Sequence, residues 1–434
     1  LMYILYLVLS TIALITGYKL YNKFVNPISV FFLVWNLCFL LFQLNLIRYN
    51  QFELKSWIVI ILVSFVYFLG CLIGWMLTLH KSSVKVEHEI QLNNNGIRED
   101  LKKIIIFFTL ISTISIVPKL LRTIKIYGIN LIASSNQVYG DSIRHLTDTD
   151  SAFNLESFIF IAIIFSGIYL YRYGLTWFID GCILLMLCAQ LSSGSRGALF
   201  VEICLLVGTI ILSRKHNRRS ISGDKAQDKV THKSYIVLVI LLIIFILIIT
   251  FLRGQDTIAL PYADDKLYHF GKYSQLIYSI DYYFTSPLAT LNEFIKAPVH
   301  NLWGAATFRP FYLVFNQFGW VHYNVDFINE YLFYSPVAAN VLSFIGELIF
   351  DFGYVGLIVV TFLLGLIFSA SYSKYKVEYS ITWNIIMVLC FTLTTLSFFA
   401  WFLRPAYLWI TLIFGLPIGI FLDKKWLNQN TYRH

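Results

Sequence analysis

Four arginines are the residues of this chain best equipped for chemistry. Arg196 stands in Ser192-Ser193-Gly194-Ser195-Arg196-Gly197, Arg253 in Arg253-Gly254-Gln255-Asp256, Arg309 in Phe308-Arg309-Pro310-Phe311, and Arg404 in Leu403-Arg404-Pro405. A guanidinium is a planar fork of donors that matches the oxygens of a phosphate or carboxylate. Arg196 also precedes an apolar run, so a helix starting there points its unpaired N–H groups and the positive end of its dipole the same way as the side chain. That arrangement suits an anion; the alternative is an arginine lying at an interface beside a serine cap. For Arg253, Arg309 and Arg404 the alternative is a structural ion pair. The candidates for taking a proton are Asp351, Glu347, Asp281 and His300. On a helix Asn340, Glu347 and Asp351 sit at i, i+7 and i+11, one polar stripe within about 20° of a single direction. Gly353 and Gly356 behind them allow a turn or a close approach. A polar helix face with no catalytic role is the other reading of that stripe, and His300 reads equally as a surface residue.

The elements that must hold these residues follow from composition. Of 434 residues, 58% are hydrophobic and 13% charged, against about 25% charged in water-soluble domains. Apolar runs long enough to cross a hydrocarbon core of roughly 30 Å recur along the chain, and lipid offers their backbone no outside partner, so they should be helices. Spans are expected near 1–18, 27–47, 56–79, 104–118, 153–171, 174–191, 197–213, 235–252, 353–373, 381–402 and 405–422. The fold class is all-α, a polytopic membrane helical bundle of about 11 transmembrane helices with a large, partly helical extracytoplasmic loop. One polytopic domain should cover 1–434. The first run lacks a basic flank and a cleavage site, and Lys19 and Lys23 follow it, so it reads as a span with its N-terminus outside.

With that orientation, 20 of the 33 Lys and Arg residues fall on the cytoplasmic side and 13 on the other, the sign of the positive-inside rule. The segment 214–234, with seven basic residues against Asp224 and Asp228, is the basic cytoplasmic loop. Two extracytoplasmic loops remain, 119–152 and 253–352. The second carries 21 aromatic residues between Arg253 and Tyr334, among them Tyr282, Tyr283, Trp303, Phe308, Tyr312 and Trp320. That is too many for a disordered tether, so the segment should fold against the membrane face, as an interfacial aromatic belt or as a surface that stacks on sugar rings.

Other chemistries find no footing. The six cysteines lie inside apolar runs without a CxxC, and read as small core residues. The nine histidines show no metal-ligand spacing, and neither a Walker A nor a GxGxxG pattern occurs. The formal charge of +9 sits at membrane edges, which points away from a nucleic-acid partner.

The pairing of Gly194-Ser195-Arg196-Gly197-Ala198-Leu199 with the stretch 340–356, which ends in Asp351-Phe352-Gly353-Tyr354-Val355-Gly356, resembles the oligosaccharide repeat-unit polymerases of the Wzy type. That family shows a glycine-flanked Arg after a mid-chain span and an N-x-Y-x-F followed by D-x-G-x-x-G. Leu342 stands where the family has Tyr, so no role passes to that position. The layout of many spans, a long late outer loop and a basic mid-chain loop is similar too. The resemblance implies a metal-independent glycosyltransferase with no cofactor, at the outer face of a bacterial inner membrane. It would transfer a growing glycan from undecaprenyl pyrophosphate to a hydroxyl of the next lipid-linked unit, building O-antigen or capsule. Arg196, Arg253, Arg309 and Arg404 would bind the pyrophosphate and stabilise its leaving charge. Partners would be lipid-linked glycans, membrane lipid and a chain-length regulator. Three alternatives stay open: an O-antigen ligase, which shares the donor; a flippase of lipid-linked sugars, against which only Asp180 and Glu202 lie inside spans; and a purely structural assembly protein.

Overall fold

The computed structural model describes residues 2–79, 95–129, 131, 138, 154–193, 196–213, 260–296, 301–322 and 333–431. In chain order the helices are α1 (Met2–Tyr21), α2 (Pro27–Leu44), α3 (Leu54–Leu79), α4 (Asn95–Tyr127), α5 (Ile159–Tyr173), α6 (Trp177–Ser193), α7 (Arg196–Ser213), α8 (Asp265–Tyr268), α9 (Ser274–Lys296), α10 (Arg309–Gln317), α11 (Phe344–Glu378), α12 (Ile381–Thr395), α13 (Ala406–Ile410) and, after a π turn, α14 (Leu416–Thr431). Strands β1 (Phe333–Tyr334) and β2 (Ala338–Ala339) form a two-residue antiparallel pair.

Among the described residues seven helices are long and apolar enough to cross a membrane: Met2–Tyr21, Pro27–Leu44, Leu54–Thr78, Gly96–Tyr127, Leu155–Tyr173, Phe344–Glu378 and Ala406–Trp426. Three shorter apolar helices, Trp177–Ser193, Gly197–Ser213 and Ile381–Thr395, stand where further spans are expected. The expected eighth span, the basic segment 214–234 and Arg253 lie outside the described residues.

The chain divides into two compact units, one of Leu1–Lys85, Gly254–Tyr379 and Cys390–Pro405, the other of Val86–Arg253, Ser380–Leu389 and Ala406–His434. In the first, α3 and α11 run parallel along a glycine seam. Gly70 lies against the Phe362 carbonyl, Gly74 against that of Leu366, and Gly365 against that of Tyr67, so a Cβ at any of the three would strike backbone. Lipid tails are as apolar as Leu, so close backbone approach replaces the hydrophobic effect as the cause of helix association. Ser369 Oγ donates to the Cys71 carbonyl at 2.6 Å and Tyr67 OH to that of Pro27 at 2.9 Å. Phe31 stacks on Tyr67 with centroids 4.3 Å apart and meets Phe344 edge-on.

The helix α9, too polar to count among the spans, packs on this unit. Asn292 Oδ1 accepts from Glu53 N and Ser56 Oγ, both at 2.9 Å, while its Nδ2 donates to the Gln51 carbonyl. Tyr283 stacks on Phe399 and Phe284 on Phe398. These rings are spent on packing within the protein.

The start of α11 corrects one expectation. The chain is held extended by the β1–β2 pair and enters the helix only at Phe344, behind the cap residue Ser343. Asn340 therefore lies outside the helix, and the polar stripe reduces to Glu347 and Asp351. Gly353, with φ 70° and ψ −174°, then interrupts the helix, a conformation that only glycine adopts without strain.

In the second unit α4 continues past Pro118 to Tyr127, so the segment expected to leave the span at Lys119 is helical. The lost proline hydrogen bond is offset by new contacts: Ile116 and Thr123 are buried, and Thr123 Oγ1 donates to the Ser192 carbonyl at 3.2 Å. Near the chain's end Asp423 accepts from Ser380 Oγ, the N–H groups of Ile381 and Thr382, and Thr382 Oγ1. A carboxylate on α14 thus caps the orphan donors at the start of α12. Within α6 and α7, Gln190 Nε2 donates to Glu202 Oε2 at 2.9 Å.

Candidate functional site

The first turns of α11 gather the candidate site. Ser343 caps the helix through its backbone, but its side chain makes no capping bond, and its Oγ is buried without a partner among the described residues. One turn on, Glu347 is buried; its Oε1 lies 3.9 Å from Arg404 Nη1, and its Oε2 has no hydrogen-bond partner among the described residues. Buried polar atoms in folded proteins are nearly all paired, so two orphans in one turn call for an explanation. The main-chain N–H of Trp401 also faces the Glu347 carboxylate. Arg404 keeps about a quarter of its side chain exposed, and a guanidinium has five N–H donors, more than one carboxylate oxygen takes up.

Another turn along, Asp351 is buried in the opposite condition. Its Oδ1 accepts from Ala306 N at 3.0 Å and its Oδ2 from Thr307 N at 2.8 Å. The backbone beside it continues the grip, as Leu302 N donates to the Phe350 carbonyl and Gly304 N to that of Asp351. Thr307 Oγ1 then accepts from Trp401 Nε1 at 3.0 Å. Asp351 thereby fixes Thr307, Thr307 fixes Trp401, and Trp401 lies three residues before Arg404. The contacts of Asp351 thus lead toward the arginine, whereas Glu347 carries the open oxygen.

Asp281 sits on α9, buried, with its Oδ1 unpartnered among the described residues. Tyr49 and Tyr278 lie near it, and burial pushes its carboxyl up to about 7. Tyr49 OH meets Thr285 Oγ1 at 2.9 Å, and Thr285 in turn donates to the Asp281 carbonyl.

Of the residues singled out from sequence, Glu347, Asp351 and Arg404 come together. Arg309 opens α10, partly buried, and Arg196 is the first residue of α7. His300 and Arg253 lie outside the described residues. Ser343, Thr307 and Trp401 escaped the sequence reading, because none belongs to a motif and their roles depend on contacts between distant segments. Among the described residues no group of three or more His, Cys, Asp or Glu side chains is placed to hold a metal ion.

The fold and site define an all-α chain with seven helices, among the described residues, long and apolar enough to cross a membrane, and a buried carboxylate facing an arginine at the head of one of them. No protein-family model, curated protein or solved structure matches the chain.

Proposed function

We propose that the chain is a membrane glycosyltransferase that polymerises lipid-pyrophosphate-linked oligosaccharide repeat units. The observation that carries this reading is the Glu347–Arg404 pair, with one carboxylate oxygen uncommitted and an orphan serine hydroxyl one turn earlier in the chain. The reaction needs a base for a sugar hydroxyl and a cation for a departing pyrophosphate. Glu347 Oε2 takes the proton from the acceptor hydroxyl as its oxygen attacks the anomeric carbon. The bond from that carbon to the pyrophosphate oxygen breaks, and the guanidinium of Arg404 stabilises the charge that leaves. The motif resemblance supplies the substrate class, and the two observations are independent. On this reading the head of α11 faces the outer side of a bacterial inner membrane, and Arg309, in the same compact unit, serves the same anion.

The glycan pattern of a cell lacking the protein tests the reading. Acceptor cores bearing a single repeat unit are expected. Cores bearing none would overturn it in favour of a ligase or a flippase. Complementation with Arg404→Ala should leave chains short, with turnover down roughly a hundredfold to a thousandfold. Arg404→Lys, which keeps the charge but loses the fork, should fall between it and the parent.

A further inference from the structure

We propose that the segment 301–322 lies in the boundary between lipid headgroups and acyl chains, as a foot that beds the Asp351 cradle on the bilayer. Its sequence, Asn301 to His322, holds one fully charged residue, Arg309, against seven aromatic ones. The helix within it, α10, is nine residues long and buries only Pro310. So short a helix is marginal in water on its own propensity, and the protein covers this one only in part. Trp303 is 78% exposed, Trp320 70% and Phe318 65%. Trp303 also holds φ at 55°, an uncommon conformation for a bulky residue that turns the chain here.

The occupant is indicated by what this surface adjoins. Gly304 packs between the rings of Phe308 and Phe352, and Gly353 lies against Asn301. Phe308 and Phe352 meet edge-on at 6.4 Å. Immediately beyond, Tyr354, Val355, Ile358, Val359, Leu363 and Ile367 form an exposed apolar stripe on α11, a helix long and apolar enough to cross a membrane. The exposed rings of 303–320 thus continue the lipid side of a spanning helix. Tryptophan and tyrosine concentrate at that depth, where an apolar body and a polar tip are both satisfied, and an apolar helix face with a basic residue at its edge lies in the interface plane. Another segment, 260–273, exposes Tyr262, Tyr268, Phe270 and Tyr273 as well, but sets them among Asp264, Asp265, Lys266, His269 and Lys272. Those charges hold its rings in water. The inference rests on membrane residence alone, not on the polymerase reading.

Photochemical capture of lipid decides it. A benzophenone amino acid is placed singly at Phe318, at Val355 as the lipid-facing reference and at Tyr268 as the aqueous one. All three positions are exposed, so the full-length protein keeps its fold. In vesicles of phosphatidylethanolamine and phosphatidylglycerol, irradiation should yield phospholipid adducts at position 318 close to those at 355 and roughly tenfold above those at 268. The adducts are counted by intact mass. Capture at 355 with none at 318, or equal capture at 318 and 268, overturns the proposal. In a second measurement, Phe318→Asp with Trp320→Asp should loosen the segment and increase its hydrogen exchange in vesicles but not in a detergent-free amphipol belt. An equal effect in both settings would assign the surface to protein packing instead.

Discussion

Glu347 and Asp351 occupy successive turns of one helix and are both buried, yet their surroundings are opposites. Asp351 has a main-chain N–H on each oxygen; Glu347 has a guanidinium at 3.9 Å, the main-chain N–H of Trp401 and an oxygen with no partner among the described residues. A carboxylate whose oxygens are taken up by backbone amides is part of the architecture. A buried carboxylate left half open is unfavourable for the fold unless something else occupies it. The difference teaches which of two neighbouring acids to read as machinery, a distinction that residue type and spacing do not make.

Three substitutions would break or sharpen this contrast. The largest effect belongs to Glu347→Gln, which keeps the volume but removes the carboxylate that the proposed reaction uses as its base. Turnover should fall about a hundredfold to ten-thousandfold, while the amount of folded protein in the membrane stays close to the parent's. Loss of the folded protein in step with activity would make Glu347 a structural acid like its neighbour. Asp351→Ala comes next: two N–H groups lose their acceptor and Trp401 loses its anchor through Thr307. Stability should drop by about 3 kcal/mol, read as a lower melting temperature in detergent. Its residual activity per folded molecule should exceed that of Glu347→Gln, and the reverse order would exchange the two roles.

The smallest effect concerns Asp281, the third buried acid. Its carboxyl is pushed up to about 7 by burial, whereas an unfolded chain gives about 3.9. Between those values the folded protein holds the proton more tightly than the unfolded chain does. This group's contribution to stability is therefore full below about pH 4 and declines as pH rises through about 7. Asp281→Asn, a stand-in for the neutral acid, should flatten the pH dependence of the melting temperature and gain roughly 2 kcal/mol over the parent at pH 8. A parallel pH profile for parent and variant would show that another group controls the slope.

The helical, membrane-crossing character was legible because run length and the absence of charge act locally, and Gly353 was legible as a break for the same reason. The extent of α4 past Pro118 was not, since Thr123 is secured by a carbonyl at Ser192, on α6. Asn340 was misplaced because a strand pair of two residues leaves no periodicity to read. At the site, Glu347 and Arg404 each stood out as charges in apolar surroundings. Their pairing did not, and the chain of contacts from Asp351 through Thr307 to Trp401 joins three segments that share no sequence pattern.

The glycine seam between α3 and α11 bears on how the protein is made. Ser369 and Cys71, which meet across it, are 298 residues apart. When α3 enters the bilayer during synthesis, its partner has not yet been translated, and the grooves at Gly70 and Gly74 are filled by lipid or by a helper. Every intervening helix must insert before the seam can close. Such late pairing of distant segments is slow and leaves partly assembled chains exposed to misassembly. A bulky residue at Gly70, Gly74 or Gly365 would therefore act first on the yield of newly made chains, before any effect on the properties of those that mature.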